Sequence, residues 1–236
     1  MFDCIAFIGH GGKLTAKYVS SHLKNIIEKT PPWIEYTKTT ADSRSLKTDL
    51  LSEALVRAYE VIDNELHKIY KDNHMVEESG CTAVCAIITP SHVICANVGD
   101  SRCVVGGRVQ GSSRSSPQFD TISLTEDHKP SNPEEKKRIE DAGDFVLVDR
   151  VNGELAMSRA LGDFRYKSNA ALRPDQYSVI CYPDVSVYVR TGNNDSILVL
   201  ACDGVWDVMS NNEVCEYYHC FYYYYCHDYH DMCYTK

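Results

Sequence analysis

Residues 197–208 read Ile197-Leu198-Val199-Leu200-Ala201-Cys202-Asp203-Gly204-Val205-Trp206-Asp207-Val208, an apolar run that stops at an aspartate. A short apolar run bounded by the turn signal Asp203-Gly204 predicts a buried strand in the interior of a sheet. A carboxylate at the end of such a strand costs free energy unless a partner compensates its charge. Two neighbouring carboxylates, Asp203 and Asp207, suit Mg²⁺ or Mn²⁺. The alternative is an Asx turn at Asp203, with Asp207 capping the next helix.

The composition is that of an ordinary globular protein, with 44% hydrophobic and 24% charged residues among 236. The 33 acidic and 24 basic residues give a net charge of −9, which argues against non-specific binding to nucleic acid or to an acidic membrane. No run approaches the roughly 18 apolar residues of a membrane-spanning helix, and the N-terminus lacks the basic region of a signal peptide. The 11 cysteines have no regular spacing, so we expect no disulfide framework and an intracellular location, cytoplasmic or nuclear.

Glycines surround a histidine near the N-terminus. The apolar residues 2–8 end at Gly9-His10-Gly11-Gly12, and a helical pattern over about residues 13–29 follows. The glycines therefore lie at a strand-to-helix turn, where the backbone can approach a ligand or a metal closely; the alternative is a plain glycine-rich turn. Pro31-Pro32 ends this helix, and a second helical pattern covers about residues 46–70.

The middle of the chain alternates strand-like runs with turns. Residues 83–89 and 92–98 flank a proline–serine turn and predict a β-hairpin. Asp100 and Arg102 follow this hairpin, and of two possible roles, in catalysis or in a turn, we favour the turn. The polar residues 167–177 predict a surface flap. Further elements are predicted as strands over residues 103–105, 145–148 and 185–189, and as a helix over residues 133–142.

Four motifs stand in a distinctive order and spacing between about residues 5 and 218. They are Ser79-Gly80-Cys81-Thr82 leading to Asn97-Val98-Gly99-Asp100-Ser101-Arg102, then Asp127-His128-Lys129-Pro130, then residues 153–163, and finally Asp203-Gly204-Val205-Trp206-Asp207. The set resembles the metal-dependent serine/threonine protein phosphatases of type 2C, the PPM family. The resemblance implies an α+β fold, an antiparallel β-sandwich of two sheets flanked by helix pairs. It also implies that two Mn²⁺ or Mg²⁺ ions activate a water that hydrolyses phosphoserine or phosphothreonine in phosphoproteins.

The resemblance assigns roles to individual residues. Asp203 matches a central metal ligand, and Asp127 and Asp207 match carboxylates that hold a weaker third metal near it. Gly9 matches a glycine whose backbone carbonyl reaches a metal-bound water. His10 matches a histidine that acts as the general acid for the leaving alkoxide, a role that suits a histidine near neutral pH.

The chain departs from the family pattern at several ligand positions. Ile8 stands where the family has an aspartate that bridges both metals, and an isoleucine offers no lone pair. The family's phosphate-binding arginine, an early Glu-Asp pair and a late Asp-Asn strand have no counterpart in this sequence. We therefore divide the chain into a truncated phosphatase domain, residues 1–218, and a Tyr/Cys/His-rich tail, residues 219–236, expected to be unstructured or non-native. Arg159 could contact a phosphate, but we favour the alternative, that it supports the site through a hydrogen-bonded turn.

These departures leave three interpretations. The chain is an active phosphatase whose missing ligands come from elsewhere, an inactive relative that binds phosphoproteins or partner proteins, or a truncated or alternatively spliced product. A site that lacks most of its ligands usually fails, so we predict weak Mn²⁺ binding and little or no turnover. Unpaired strand edges and exposed apolar faces also predict poor solubility. The sequence does not identify the substrate proteins.

Overall fold

The computed structural model describes residues 2–6, 9–39, 44–73, 79–109, 119–190 and 195–221. Within these residues the helices are α1 (Leu14–Lys29), α2 (Pro31–Lys38), α3 (Arg44–Asp72), α4 (Pro133–Asp141), α5 (Asp203–Trp206) and α6 (Asn211–Phe221). The strands are β1 (Phe2–Ala6), β2 (Gly9–His10), β3 (Gly80–Cys81), β4 (Ala83–Ile88), β5 (His92–Val98), β6 (Arg102–Arg108), β7 (Phe119–Ser123), β8 (Val146–Leu147), β9 (Arg150–Val151), β10 (Leu161–Gly162), β11 (Asp184–Val189) and β12 (Asp195–Ala201).

Two larger sheets form the centre of the fold. One has the strand order β1-β4-β5-β11 and the other the order β12-β6-β7, and every pair is antiparallel. Strands β4 and β5 form the predicted hairpin, with Ala83 opposite Val98 and Ile88 opposite Val93. Two small sheets, β10-β3-β2 and β8-β9, complete the strand pairing of the described residues.

Helices α1 and α3 cover one face of the first sheet. Both helices are confirmed close to the predicted ranges of 13–29 and 46–70. Leu23 of α1 and Leu55 of α3 are fully buried in a core that they share with Ile87 and Ile94 of the sheet. Burial of each such side chain is worth about 1.5–3 kcal/mol, so the apolar stripe seen in the sequence is what attaches these helices to the sheet.

The two prolines after α1 have a second role. They end α1, as predicted, but they also begin α2, which the sequence did not indicate. Proline suits the first turn of a helix because its missing N–H would have no partner there. Thr30 caps this helix, since its hydroxyl accepts a hydrogen bond from the amide of Trp33.

The second sheet lies between the first sheet and the C-terminal helices. Its inner face shares a core with the first sheet, formed by residues such as Val84, Cys95 and Val105. Its outer face packs against Trp206 and against Val214 of α6. The order of layers is therefore helices, sheet, sheet and helices, which confirms the predicted α+β sandwich with helices outside.

The position of β12 corrects the prediction of an interior strand. Among the described residues, β12 pairs with β6 alone and lies at the edge of its sheet. Leu198 and Leu200 contribute to the core between the sheets, whereas Val199 contributes to the core beneath α6. Both faces of the strand are thus covered. An uninterrupted apolar run in a sequence indicates that both faces of a strand are covered, but it does not indicate whether both of its edges are paired.

Four further sequence predictions fall in the second half of the chain. Helix α4 and strand β11 are found close to where they were expected. The segment 167–177 is mainly exposed, but Lys167 at its start is buried and belongs to the core rather than to a flap. Helix α6 continues to Phe221, so the backbone of the first three residues of the predicted tail is helical, and residues 222–236 lie outside the described part. No helix in the described ranges is long and apolar enough to cross a membrane.

Candidate active site

Three sequence motifs meet in the small sheet β10-β3-β2. Strand β3 lies in the middle, where Gly80 is opposite His10 on one side and Gly162 on the other. The glycine-rich N-terminal motif, the Ser-Gly-Cys-Thr motif and the motif that ends at Asp163 are therefore brought together, although more than 60 residues separate the first two. Only the tertiary fold places these segments side by side.

His10 and Asp163 form the central polar contact of this sheet. The imidazole Nε2 of His10 lies 2.7 Å from Oδ2 of Asp163, and the Asp163 side chain is only 5% exposed. The second ring nitrogen, Nδ1, is buried without a hydrogen-bond partner among the described residues. A buried polar atom without a partner is unfavourable unless a ligand or a water completes it.

Glycines make room for this arrangement. A Cβ atom on Gly80 would lie 2.1 Å from Oδ2 of Asp163 and 2.5 Å from Nε2 of His10, so any larger residue would separate the pair. A Cβ atom on Gly9 would lie 2.8 Å from the Cβ of Ala16. Gly9 is therefore required for the close approach of β2 to α1, whatever its carbonyl binds.

A buried ion pair supports the same sheet from the side of α3. Asp63 accepts hydrogen bonds from the backbone amide of Gly162 at 2.8 Å and from Nζ of Lys167 at 2.8 and 2.9 Å. Burial lowers the pKa of Lys167, but its neighbours, foremost the Asp63 carboxylate, together outweigh burial and raise the pKa. The charged pair thus fixes the backbone directly before Asp163 to the long helix.

Asp203 lies at the start of α5, at the end of β12. Its Oδ1 accepts a hydrogen bond of 2.8 Å from the amide of Gly204, so the side chain folds back on its own turn. The indole of Trp206 donates to the carbonyl of Ala201 at 2.7 Å and fastens this turn to the strand. Asp207 is exposed and follows the last residue of α5. It therefore closes this short helix rather than capping the start of the next one.

Asp127 lies in the loop between β7 and α4, and its carboxylate forms an ion pair with Arg102. The guanidinium donates from Nε to Oδ1 at 3.1 Å and from Nη2 to Oδ2 at 3.0 Å. The same guanidinium lies 5.3 Å from the ring centre of Trp206, next to the Asp203 turn. The neighbouring turn residue Asp100 accepts a hydrogen bond of 2.6 Å from Nζ of Lys129. Asp100 and Arg102 thus stabilise turns, as we favoured from the sequence.

The described carboxylates do not form a metal site by themselves. Within the ranges that the structure describes, no group of three or more His, Cys, Asp or Glu side chains is placed to hold an ion. Asp127 is engaged by Arg102, and one oxygen of Asp203 is engaged by an amide. Ile8, the position at which the family has its bridging aspartate, lies outside the described residues. The carboxylates of the described residues therefore do not fit a pair of divalent ions.

Arg159 lies between two carboxylates. It donates to Oε1 of Glu135 at 2.7 Å from Nη2 and to Oδ1 of Asp184 at 2.7 Å from Nη1. Asp184 also lies 3.1 Å from Nε2 of His128. These contacts favour the role of supporting a hydrogen-bonded turn, and contact of Arg159 with a phosphate stays a prediction.

Sequence reasoning missed Asp163 and Glu135 as members of these networks. Asp163 was included in a motif but received no role, because its histidine partner lies 153 residues away. The one local signal was an aspartate directly after the glycine that ends a strand-like segment. Glu135 was assigned to a charged helix, and its burial depends on two arginines that α4 meets only in the folded chain.

Comparison with known proteins identifies the family. The family model described as "Protein phosphatase 2C" matches residues 4–220. The chain is 41% identical over 211 residues to "Protein phosphatase ppm-1.A" of Caenorhabditis elegans, covering 89% of this chain and 43% of that relative. It is 37% identical over 209 residues to the human "Protein phosphatase 1A", covering 89% of this chain and 50% of the relative.

Solved structures give the same result. The serine-threonine phosphatase 2C from Toxoplasma gondii superposes with a TM-score of 0.71 at 27% identity, covering 91% of this chain and 71% of that one. A Caenorhabditis elegans sex determining protein superposes with a TM-score of 0.68 at 27% identity, covering 93% of this chain and 47% of that one. The chain spans about half the length of the curated relatives it matches. It belongs to the protein phosphatase 2C family of serine/threonine protein phosphatases.

Proposed function

We propose that this chain is a phosphatase domain that hydrolyses phosphoserine and phosphothreonine in proteins, and that its activity as it stands is low. Family membership supports the reaction class, and His10 is the proposed general acid for the leaving alkoxide. Mn²⁺ or Mg²⁺, when bound, would activate a water and neutralise phosphate oxygens. Asp203, assisted by Asp127 and Asp207, is the group that would bind such an ion weakly. Among the described residues, thiols without a disulfide bond are found at Cys81, Cys95, Cys103, Cys181, Cys202 and Cys215, which suits the proposed reducing compartment, the cytoplasm or the nucleus.

The observation that carries the low activity is the ion pair of Asp127. Both of its carboxylate oxygens accept hydrogen bonds from Arg102, so an ion would have to displace a guanidinium before it could use them. Mg²⁺ gives up its hydration shell reluctantly and needs several well-placed oxygen ligands. A single half-buried carboxylate at Asp203 does not offer enough of them.

The second candidate function is an inactive module that binds phosphoproteins. Ile8 favours it, because an aliphatic side chain at the bridging position cannot ligate either ion. Such a module would bind phosphopeptides without releasing phosphate. Metal binding and turnover therefore separate the two candidates.

The experiment is a Mn²⁺ titration by calorimetry, run in parallel with phosphate release from a phosphoserine peptide. It compares the parent chain with Ile8→Asp and Asp203→Ala. Asp175→Ala is the matched control, because Asp175 is exposed and paired with Arg173. We expect weak Mn²⁺ binding and little turnover by the parent, a further loss of affinity in Asp203→Ala, and no change in the control. Ile8→Asp should tighten binding by about tenfold, equivalent to about 1.4 kcal/mol, because it restores an anionic side chain at the position where the family has its bridging aspartate.

The outcomes are distinct. Robust Mn²⁺-dependent turnover by the parent that Asp203→Ala abolishes would reject the proposed low activity and show that other groups complete the metal site. Phosphopeptide binding with neither Mn²⁺ binding nor turnover would favour the inactive module.

A further inference from the structure

We propose that Asp163 is the positioning residue of His10, and that it makes Nδ1 the imidazole nitrogen available to the substrate. The carboxylate of Asp163 forms a hydrogen bond of 2.7 Å with the other ring nitrogen, Nε2. The inference deepens the proposed function, and it rests on that function only for the part that His10 plays in phosphate hydrolysis. The orientation of the ring can be tested without any turnover.

The hydrogen bond fixes which nitrogen carries the proton. An ionised carboxylate has no hydrogen to donate, so the contact requires Nε2 of His10 to donate to Asp163. In the neutral ring, Nδ1 then has a lone pair that can accept a hydrogen bond. In the protonated ring, Nδ1 carries the N–H that is not donated to Asp163. The histidine is thereby held in one tautomer and in one orientation.

The residues around His10 and Asp163 allow the two side chains to approach each other closely. Gly80 leaves open the space between the two side chains, which a Cβ atom would fill at 2.1 Å from the carboxylate of Asp163. Asp163 itself has a positive φ of 51°, a conformation that aspartate and asparagine tolerate better than most residues. Its amide donates to the carbonyl of Ser79 at 3.3 Å, which ties the turn to β3. Asp163 is thus positioned by its own backbone conformation and by the hydrogen bond of its amide to Ser79.

The second ring nitrogen gives an independent sign of a ligand. Nδ1 of His10 is buried and has no hydrogen-bond partner among the described residues. A polar atom in that state is completed in most proteins by a water or a ligand. The unpartnered nitrogen is the one that Asp163 leaves free, so the two observations agree on the atom that meets the reacting group.

This arrangement defines the proton transfer. A water adds its oxygen to phosphorus while the bond from phosphorus to the serine or threonine oxygen breaks, and the electron pair of that bond stays on the departing oxygen. The two hydrogens of the water leave with the released phosphate. The proton on Nδ1 of His10 passes to this oxygen. The ring becomes neutral and keeps its proton on Nε2, where Asp163 accepts the hydrogen bond throughout.

The test is nuclear magnetic resonance of the isotope-labelled full chain. Long-range nitrogen–proton correlations distinguish Nδ1 from Nε2, and His10→Gln assigns the His10 signals among the 9 histidines. We expect a ring proton on Nε2 of His10 that is shifted far downfield and protected from exchange with water. This proton should be lost in Asp163→Gly, which keeps the positive φ without strain, and weakened in Asp163→Asn.

Two further variants exclude a general loss of structure. Gly80→Ala should remove the His10 signal, because its methyl group enters the space between the two side chains. Asp184→Asn is the matched control, since Asp184 contacts Nε2 of another histidine, His128, at 3.1 Å. The control should change the His128 signal and leave that of His10 in place. A neutral His10 ring in the parent that carries its proton on Nδ1 instead of Nε2, or a protected Nε2 proton that survives in Asp163→Gly, would overturn the inference.

Phosphate release from a phosphoserine peptide separates this inference from the proposed function. We expect Asp163→Asn to lower kcat by about tenfold with KM unchanged, because a misplaced proton donor weakens the reaction rather than substrate binding. An unchanged kcat would contradict the positioning role. If the parent releases no phosphate but shows the protected Nε2 proton, the proposed activity fails, whereas the orientation of His10 by Asp163 stands.

Discussion

Arg102 and Asp127 form a two-point ion pair, with hydrogen bonds of 3.1 and 3.0 Å between the guanidinium and the two carboxylate oxygens. The pair is about three-quarters buried, because the two side chains are only 25% and 21% exposed. Arg102 also donates to Oδ1 of Asn211 in α6 at 2.9 Å. The carboxylate that the family resemblance assigns to a metal is therefore neutralised by a side chain of the same domain.

The first prediction concerns Arg102→Gln. Removal of the guanidinium frees both oxygens of Asp127, so we expect Mn²⁺ to bind about tenfold more tightly, equivalent to about 1.4 kcal/mol. The free energy of unfolding should fall by about 1–3 kcal/mol, because a largely buried carboxylate loses its partner. Calorimetric Mn²⁺ titration and urea denaturation measure the two effects. Arg57→Gln, which removes an exposed guanidinium paired with Glu53, is the control and should change neither. Unchanged Mn²⁺ affinity in Arg102→Gln would show that Asp127 is not a ligand.

The second prediction concerns Glu135, which is buried beside Arg138 and Arg159. Burial would raise the pKa of Glu135, but the hydrogen bonds from the two arginines outweigh burial and lower the pKa to about 2. Because the folded pKa lies below the ordinary value of 4.5, folding favours the ionised form. The resulting stabilisation is complete above about pH 4.5 and is lost as the pH falls towards about 2.

Urea denaturation of the parent and of Glu135→Gln across this pH range tests that sign. At neutral pH the variant should be less stable by about 3 kcal/mol, because the buried guanidinium of Arg138 loses its counter-charge and that of Arg159 keeps only Asp184. The difference between the two proteins should shrink as the pH falls from about 4.5 to about 2. A difference that stays constant with pH would mean that Glu135 is not the group that titrates.

The third prediction concerns the buried pair of Lys167 and Asp63. Lys167→Met leaves Asp63 charged and unpaired in the core, so we expect the free energy of unfolding to fall by about 3–5 kcal/mol. Asp63→Asn in the same chain removes that charge and keeps an oxygen that can accept the hydrogen bond from Gly162. The double variant should therefore recover part of the loss. Urea denaturation of the parent, the two single variants and the double variant measures the coupling, and additive losses would show that the two charges do not interact.

The fourth prediction concerns self-association through β11. This strand lies at the edge of the first sheet, and Val187 and Val189 on it are 45% and 63% exposed. An exposed apolar edge strand invites pairing with another chain, and a lysine blocks it. Val189→Lys should therefore reduce concentration-dependent association in size-exclusion chromatography with light scattering. Ile34→Lys, which changes an exposed residue of helix α2, should have no such effect. A parent that stays monomeric at all concentrations would contradict the prediction.

Local sequence signals predicted most of the secondary structure. The spacing of apolar residues located α1 and α3, and the proline–serine turn located the hairpin of β4 and β5. These features depend on the periodicity of neighbouring residues and on the conformational preferences of turn residues, both of which can be read along the chain. The motifs also indicated the family, because their order and spacing are properties of the sequence itself.

The sequence could not predict which edges and side chains meet. The apolar run of β12 showed that both faces of the strand are covered, but its place at the edge of a sheet depends on which other strands pair with it. The partners of His10 and Asp127 were equally hidden, since Asp163 lies 153 residues from His10 and Arg102 lies 25 residues from Asp127.

The sequence by itself thus determined helices α1, α3 and α4, the hairpin and the residue types at the candidate site. The tertiary structure alone decided that Asp163 forms a hydrogen bond with His10 and that Arg102 forms an ion pair with Asp127. The physical reason is that hydrogen bonds and ion pairs act over about 3 Å, a distance set by the packing of the sheets and helices between the two partners. Their separation along the chain carries no information about that distance.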